Sequence, residues 1–195
     1  MRITLVIMAT LYSLGTLAQE GYVSGENYCY KFSSPENWVI DTIKGKGGGT
    51  TMVFYPKGSS WSNAETMFFT LGVDFVRDAN SASEKIKANV DAVVQDYERS
   101  DAGPNFKATK VKSIVSISGE KGELWKLSGN QWGNPELVAY FVGKNTLNLF
   151  VMNSKNEEAL EDSSNTFSEL YLSYQAVEDC LPCTKIESSI TCSEP

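Results

Sequence analysis

Strict alternation of apolar and polar positions dominates the chain and predicts strands before anything else. Tyr28, Tyr30 and Phe32 alternate with Cys29 and Lys31, and Pro35-Glu36-Asn37 then turns the chain into a second strand over 38–43. The glycine run 45–49 reads as a hairpin connection, from which 51–55 returns before Pro56 stops pairing. Met67, Phe69, Leu71, Val73 and Phe75 give the cleanest alternation, a strand with one heavily apolar face. The period then changes. Ser81 and Glu84 form a capping box, followed by Ile86, Val90, Val93, Val94 and Tyr97 at helical spacing, so a helix should run to about Ser100, ahead of Gly103-Pro104. Four more strands follow over 106–118, 124–128, 137–142 and 147–152, separated by turns at 119–122, 129–135 and 143–145. Ser154 with Glu157 reads as a second capping box, opening a helix with Leu160, Phe167, Leu170, Tyr171 and Tyr174 on its buried stripe.

The order is strands, helix, strands, helix. Hairpin-length connections imply an antiparallel sheet, and each helix has one apolar face to lay on it. The expected class is α+β, an antiparallel sheet flanked by two main helices in an α/β/α sandwich. No internal repeat interrupts this order.

The start of the chain belongs to a different kind of segment. Arg2 precedes a mostly apolar run over 3–11, and Gly15-Thr16-Leu17-Ala18 places Thr16 and Ala18 at −3 and −1 of a cleavage site. Residues 1–18 therefore read as a secretory signal, and the expected location is secreted or periplasmic. Residues 19–27 read as a flexible start, 28–178 as the folded domain and 179–195 as a cysteine-containing tail. No later apolar stretch approaches ~20 residues, so no membrane insertion is expected after cleavage.

Charge and cysteine narrow the function. With 17 Lys and Arg against 24 Asp and Glu the net charge is −7, which repels phosphate backbones and argues against a nucleic-acid partner. The four cysteines, Cys29, Cys180, Cys183 and Cys192, read as two disulfides in an exported chain, with three connectivities open. Joining Cys29 to Cys180 or Cys183 would tie the first strand to the tail. In the chain-entropy model such a long loop is worth about 4–5 kcal/mol.

Cys180-Leu181-Pro182-Cys183 has the C-x-P-C form of thiol-disulfide oxidoreductases and supplies the alternative function, a redox protein. Its place after a helix C-terminus, beside Glu178 and Asp179, disfavours a thiolate. A four-cysteine zinc site lacks a second C-x-x-C. The sequence has no histidine, which removes Ser-His-Asp and Cys-His catalysis and the commonest metal ligand. Asp74, Asp78 and Glu65 are candidate carboxylates for acid–base work or calcium, but no D-x-D-x-D-G loop accompanies them, and solvated loop charge is the simpler reading. The glycine run lacks the order of a phosphate loop. No catalytic residue, metal site or cofactor is assigned. Trp61 and Trp132 remain. Both sit in loops among small polar residues, and with Asn130 and Asn134 they form the candidate binding set, suited to a protein or carbohydrate partner, although a loop tryptophan more commonly folds back over the sheet edge.

The phrase Phe32-Ser33-Ser34-Pro35-Glu36-Asn37-Trp38 is similar to the F-x-x-P-x-x-W step of the PsbP-like superfamily. The passage from Ala139-Tyr140-Phe141 to Leu147-Asn148-Leu149-Phe150-Val151, followed by Ser154 and the last helix, resembles that group's closing segment. The resemblance covers about residues 28–177 and includes the PsbP, Ran-release-factor and DcrB-like types. It implies the PsbP-like fold and a non-enzymatic binding or assembly role, without naming a partner.

Overall fold

Alternating strands that bury both faces need cover on both sides, and the two helices and a small second sheet supply it. The computed structural model describes residues 20–24, 28–43, 52–74, 79–100, 103, 105–144, 146–177, 183–186 and 189–192. The proposed signal segment 1–18, the glycine run 45–49, Asp78 and Cys180 lie outside these residues.

The strands are β1 (Glu20–Ser24), β2 (Cys29–Ser33), β3 (Trp38–Asp41), β4 (Met52–Pro56) and β5 (Thr66–Asp74), followed by helix α1 (Ala82–Arg99). Next come β6 (Lys107–Val115), β7 (Lys121–Ser128), β8 (Glu136–Val142) and β9 (Thr146–Ser154), helix α2 (Glu157–Leu172), β10 (Gln175–Ala176), β11 (Cys183–Ile186) and β12 (Ser189–Cys192). Among the described residues, seven strands form one sheet in the order β3-β4-β5-β9-β8-β7-β6, every pair antiparallel. β1, β2 and β10 form a second antiparallel sheet, and β11 pairs with β12. The expected α+β class is the observed one.

Helix α1 starts where the capping box places it. Ser81 Oγ accepts from Glu84 N, and the Glu84 carboxylate accepts from the Ser81 backbone N–H at 2.9 Å. Ile86 and Val90 then seat on the face made by Val138, Tyr140, Leu147 and Leu149. The opposite face carries α2 and the small sheet over an aromatic core. Phe68 is fully buried there, stacked on Trp38 at 4.0 Å and tilted against Phe167 of α2 at 5.2 Å. A buried Phe of this kind contributes about 1.5–3 kcal/mol by area alone.

Five expectations change. Residues 20–24 are a strand within the segment read as flexible: β1 pairs along its length with β2, and Val23 is fully buried. Gly21 is opposite Phe32, and a Cβ there would sit 2.0 Å from that ring, which is why a strand tolerates a glycine at this position. Helix α2 is capped by Asn156, whose side chain accepts from Ala159 N at 2.9 Å, rather than by Ser154. Ser154 is fully buried at the end of β9, bonded to Thr66 Oγ1 at 3.0 Å, and so cannot turn to cap a helix. Tyr174 lies just past α2 yet stays fully buried, stacked on Phe141 at 4.3 Å. Pro56 closes β4 opposite Trp38 instead of standing outside it. β5 also buries both faces: Phe68 and Thr70 are fully enclosed on the α2 side, while Phe69, Leu71 and Val73 pack toward α1.

Candidate functional site

The strand registers gather several loops at one end of the seven-stranded sheet. Trp38 pairs with Pro56, Thr66 with Ser154, Glu136 with Asn153, and Lys107 with Ser128. The β4–β5 loop carrying Trp61 and the β7–β8 loop carrying Trp132 therefore emerge from the same end, with the β9–α2 junction between them. The loop midpoints are separated by three strand spacings, about 14 Å. Hydrogen bonds tie the three loops together. Lys155 N donates to Glu65 O at 2.9 Å, Ser154 N to Pro135 O at 3.2 Å, and Asn134 Nδ2 to Asn153 Oδ1 at 3.3 Å.

Each tryptophan rides on a loop folded around an asparagine. In the first, Asn63 Oδ1 accepts from Ser60 N at 2.7 Å and Ser60 Oγ at 2.9 Å, while Ala64 N closes on Ser60 O at 2.9 Å. In the second, Asn130 Oδ1 accepts from Trp132 N at 3.2 Å and Asn134 N at 3.1 Å, and Asn130 Nδ2 donates to Asn134 O at 3.0 Å. These are the local side-chain-to-backbone bonds by which asparagine stabilises turns. Gly129 has a φ of +87° and would bring a Cβ within 2.3 Å of Asn105 O, so only glycine enters the loop this way.

The tryptophans themselves stand out, Trp61 46% and Trp132 67% exposed. Trp38 and Trp125 do not. Trp38 stacks in the core, and Trp125 Nε1 donates to Glu123 Oε2 at 2.9 Å. Of the four candidate binding residues, Trp61 and Trp132 are available to a partner and Asn134 is half-buried. Asn130 is buried, with its polar atoms turned into its own loop, so its part is to shape the loop. Asn63, which performs the same task for Trp61, carried no distinguishing signal in the sequence beyond lying two residues after it.

Carboxylates also lie at this end. Glu136, half-buried, accepts from Asn153 Nδ2 at 2.6 Å, completing a chain from the Trp132 loop through Asn134 and Asn153. Burial pushes its carboxyl above the usual range, against the effect of the Asn153 hydrogen bond. Of the other candidate carboxylates, the two that are described, Glu65 and Asp74, are not brought together. Glu65 precedes β5 at this end and Asp74 closes β5 at the other, so the length of a nine-residue strand, about 30 Å, separates them. Among the described residues no three metal-ligating acidic or cysteine side chains cluster.

The described cysteines lie elsewhere. Cys29 is buried, its Sγ 3.5 Å from Val177 O, and Cys183 is directly opposite Cys192 in the β11–β12 pair. Of the C-x-P-C motif only Cys183 is among the described residues, and nothing in those residues supports the redox alternative.

No family model matches the sequence, and no curated protein matches it. Solved structures do. The chain is similar to cyanobacterial PsbP from Synechocystis, with 13% identity, a TM-score of 0.50, and 87% of this chain covering 99% of that one. It is also similar to the Saccharomyces cerevisiae Ran-binding protein Mog1p, with 11% identity, a TM-score of 0.51, and 82% of this chain covering 95% of that one. At these identities the likeness is one of fold, and the fold is the PsbP-like α+β arrangement.

Proposed function

We propose that this chain is an exported, non-enzymatic binding or assembly module that holds a protein partner at the sheet end carrying Trp61 and Trp132. The observation behind this reading is the pair of exposed indoles held on asparagine-folded loops at one end of the seven-stranded sheet. A tryptophan supplies a large contact area for few rotatable bonds, and a loop already folded spares part of the ordering cost of binding. A structure of the same fold belonging to a Ran-binding protein supports protein capture as a use of this scaffold. The apolar run and the Thr16/Ala18 pattern of residues 1–18 support export.

The test is affinity capture from the native milieu, followed by calorimetry on the purified partner. It compares wild type, the Trp61→Ala/Trp132→Ala double variant, and Ile43→Ala. Ile43 is 78% exposed just beyond β3 at the other end of the sheet and serves as the control. The double variant is expected to lose at least tenfold in affinity, about 1.4 kcal/mol or more, while Ile43→Ala retains it. Equal affinity for all three would remove this surface from the function.

A further inference from the structure

We infer that the four cysteines form two bonds of one defined connectivity, Cys29 to Cys180 and Cys183 to Cys192, so that the C-x-P-C pair is split between two separate staples. The register carries the argument. β11 and β12 pair Cys183 with Cys192, Thr184 with Thr191, Lys185 with Ile190, and Ile186 with Ser189. Directly opposed residues of an antiparallel pair have Cα atoms roughly 4.5–5.5 Å apart, within the 4.4–6.8 Å that a disulfide spans. A Cys180–Cys183 bond would leave Cys192 opposite an already oxidised Cys183, with only Cys29, on the other sheet, to pair with.

The remaining two positions are brought together from the other side. β10 continues the ladder beside β2, with Gln175 opposite Lys31 and Ala176 opposite Tyr30, and Val177 N then donates to Cys29 O at 3.4 Å. Cys29 is 5% exposed with its Sγ beside Val177 O, three residues before Cys180, and no cysteine among the described residues is free. Three residues of chain reach about 10 Å at most, enough to return Cys180 to Cys29. Each bond forms by thiol–disulfide exchange with a donor disulfide. Two cysteine thiols give up two protons and two electrons, and the donor is reduced to its dithiol.

The functional consequence is that the tail is doubly held. One bond fastens the exit of α2 to the second strand, and the other closes the terminal hairpin on itself. Neither bond is available as a redox centre without dismantling a structural contact.

Tryptic digestion of the full, natively oxidised chain under non-reducing conditions tests the pairing. Cleavage at Lys31, Lys155 and Lys185 places Cys29, the Cys180/Cys183 pair and Cys192 on three different peptides. These should remain joined as one complex. Fragmenting its backbone between Cys180 and Cys183 should leave the Cys29 peptide on the Cys180 half and the Cys192 peptide on the Cys183 half. The reverse partition overturns the proposal. So does release of the 156–185 peptide with an internal bond while the Cys29 and Cys192 peptides stay joined to each other. Free thiols labelled by maleimide before reduction would overturn it too. A paired set of variants repeats the test in the folded chain: Cys183→Ser/Cys192→Ser should expose no thiol, whereas Cys180→Ser/Cys183→Ser should expose two.

Discussion

Asn130→Ala separates shaping a loop from displaying a side chain. The substitution deletes three hydrogen bonds, two accepted by Oδ1 from Trp132 N and Asn134 N and one donated by Nδ2 to Asn134 O. Each is worth about 0.5–1.5 kcal/mol net, but the backbone groups released lie in a surface loop where water can replace part of the loss. A cost of about 2 kcal/mol follows, equivalent to a Tm lowered by roughly 4–8 °C in a domain of this size. Trp132 stands 67% exposed, so Trp132→Ala should move stability by no more than about 0.5 kcal/mol. Urea unfolding followed by far-UV circular dichroism measures both, since that signal does not depend on the deleted indole. The slope of free energy against urea should be unchanged in each variant. An Asn130→Ala protein as stable as wild type would refute the claim that this side chain builds the loop. So would a Trp132→Ala protein destabilised by more than about 1 kcal/mol, because the indole would then be packing rather than displayed.

Three other perturbations have worked signs. Glu123 is buried, which opposes its charge, but hydrogen bonds from Lys110 Nζ, Ser83 Oγ and Trp125 Nε1 hold its carboxyl below the usual range. A lowered value contributes stability above the unfolded pKa and loses it as pH falls through the folded one, so Glu123→Gln should cost about 1–2 kcal/mol at pH 7 and less in acid, read by urea melts across pH. Glu136 has the opposite sign. Its raised value favours the native state at low pH and withdraws that support as pH rises, so Glu136→Gln, which keeps an acceptor for Asn153, should be more stable than wild type at pH 7, with the gain shrinking toward pH 4. Phe68→Ala removes a fully buried ring between Trp38 and Phe167 and should cost about 3–5 kcal/mol in the same melts.

The legible parts of the sequence were those where one local signal decides the matter. Ser81 and Glu84 satisfy each other within a single turn, so the start of α1 could be read without knowing what α1 packs on. The second helix start could not. Ser154 and Asn156 are about equally good caps, and the choice fell to Asn156 because β9 extends through Ser154 to pair with Thr66, a partner 88 residues away. β1 was hidden for a similar reason. Glu20–Ser24 has one fully buried residue, and only its pairing with β2 and the Phe32 ring over Gly21 make it a strand. At the candidate site the polar surroundings of Trp61 and Trp132 singled them out without deciding their exposure, and the inward role of Asn130 was not legible either. An asparagine that bonds its own loop and one that meets a partner have the same composition around them. The convergence of the two loops on one end depends on β5 and β9 being neighbours, a long-range pairing that no local pattern encodes.

The central claim is that a partner is held at the Trp61/Trp132 end of this fold. Its most direct measurement is the affinity of the purified partner for wild type beside the Trp61→Ala/Trp132→Ala variant, each first shown by circular dichroism and urea melting to be equally folded. The account predicts a loss of tenfold or more with stability unchanged. An affinity equal to wild type in a fully folded double variant would contradict it.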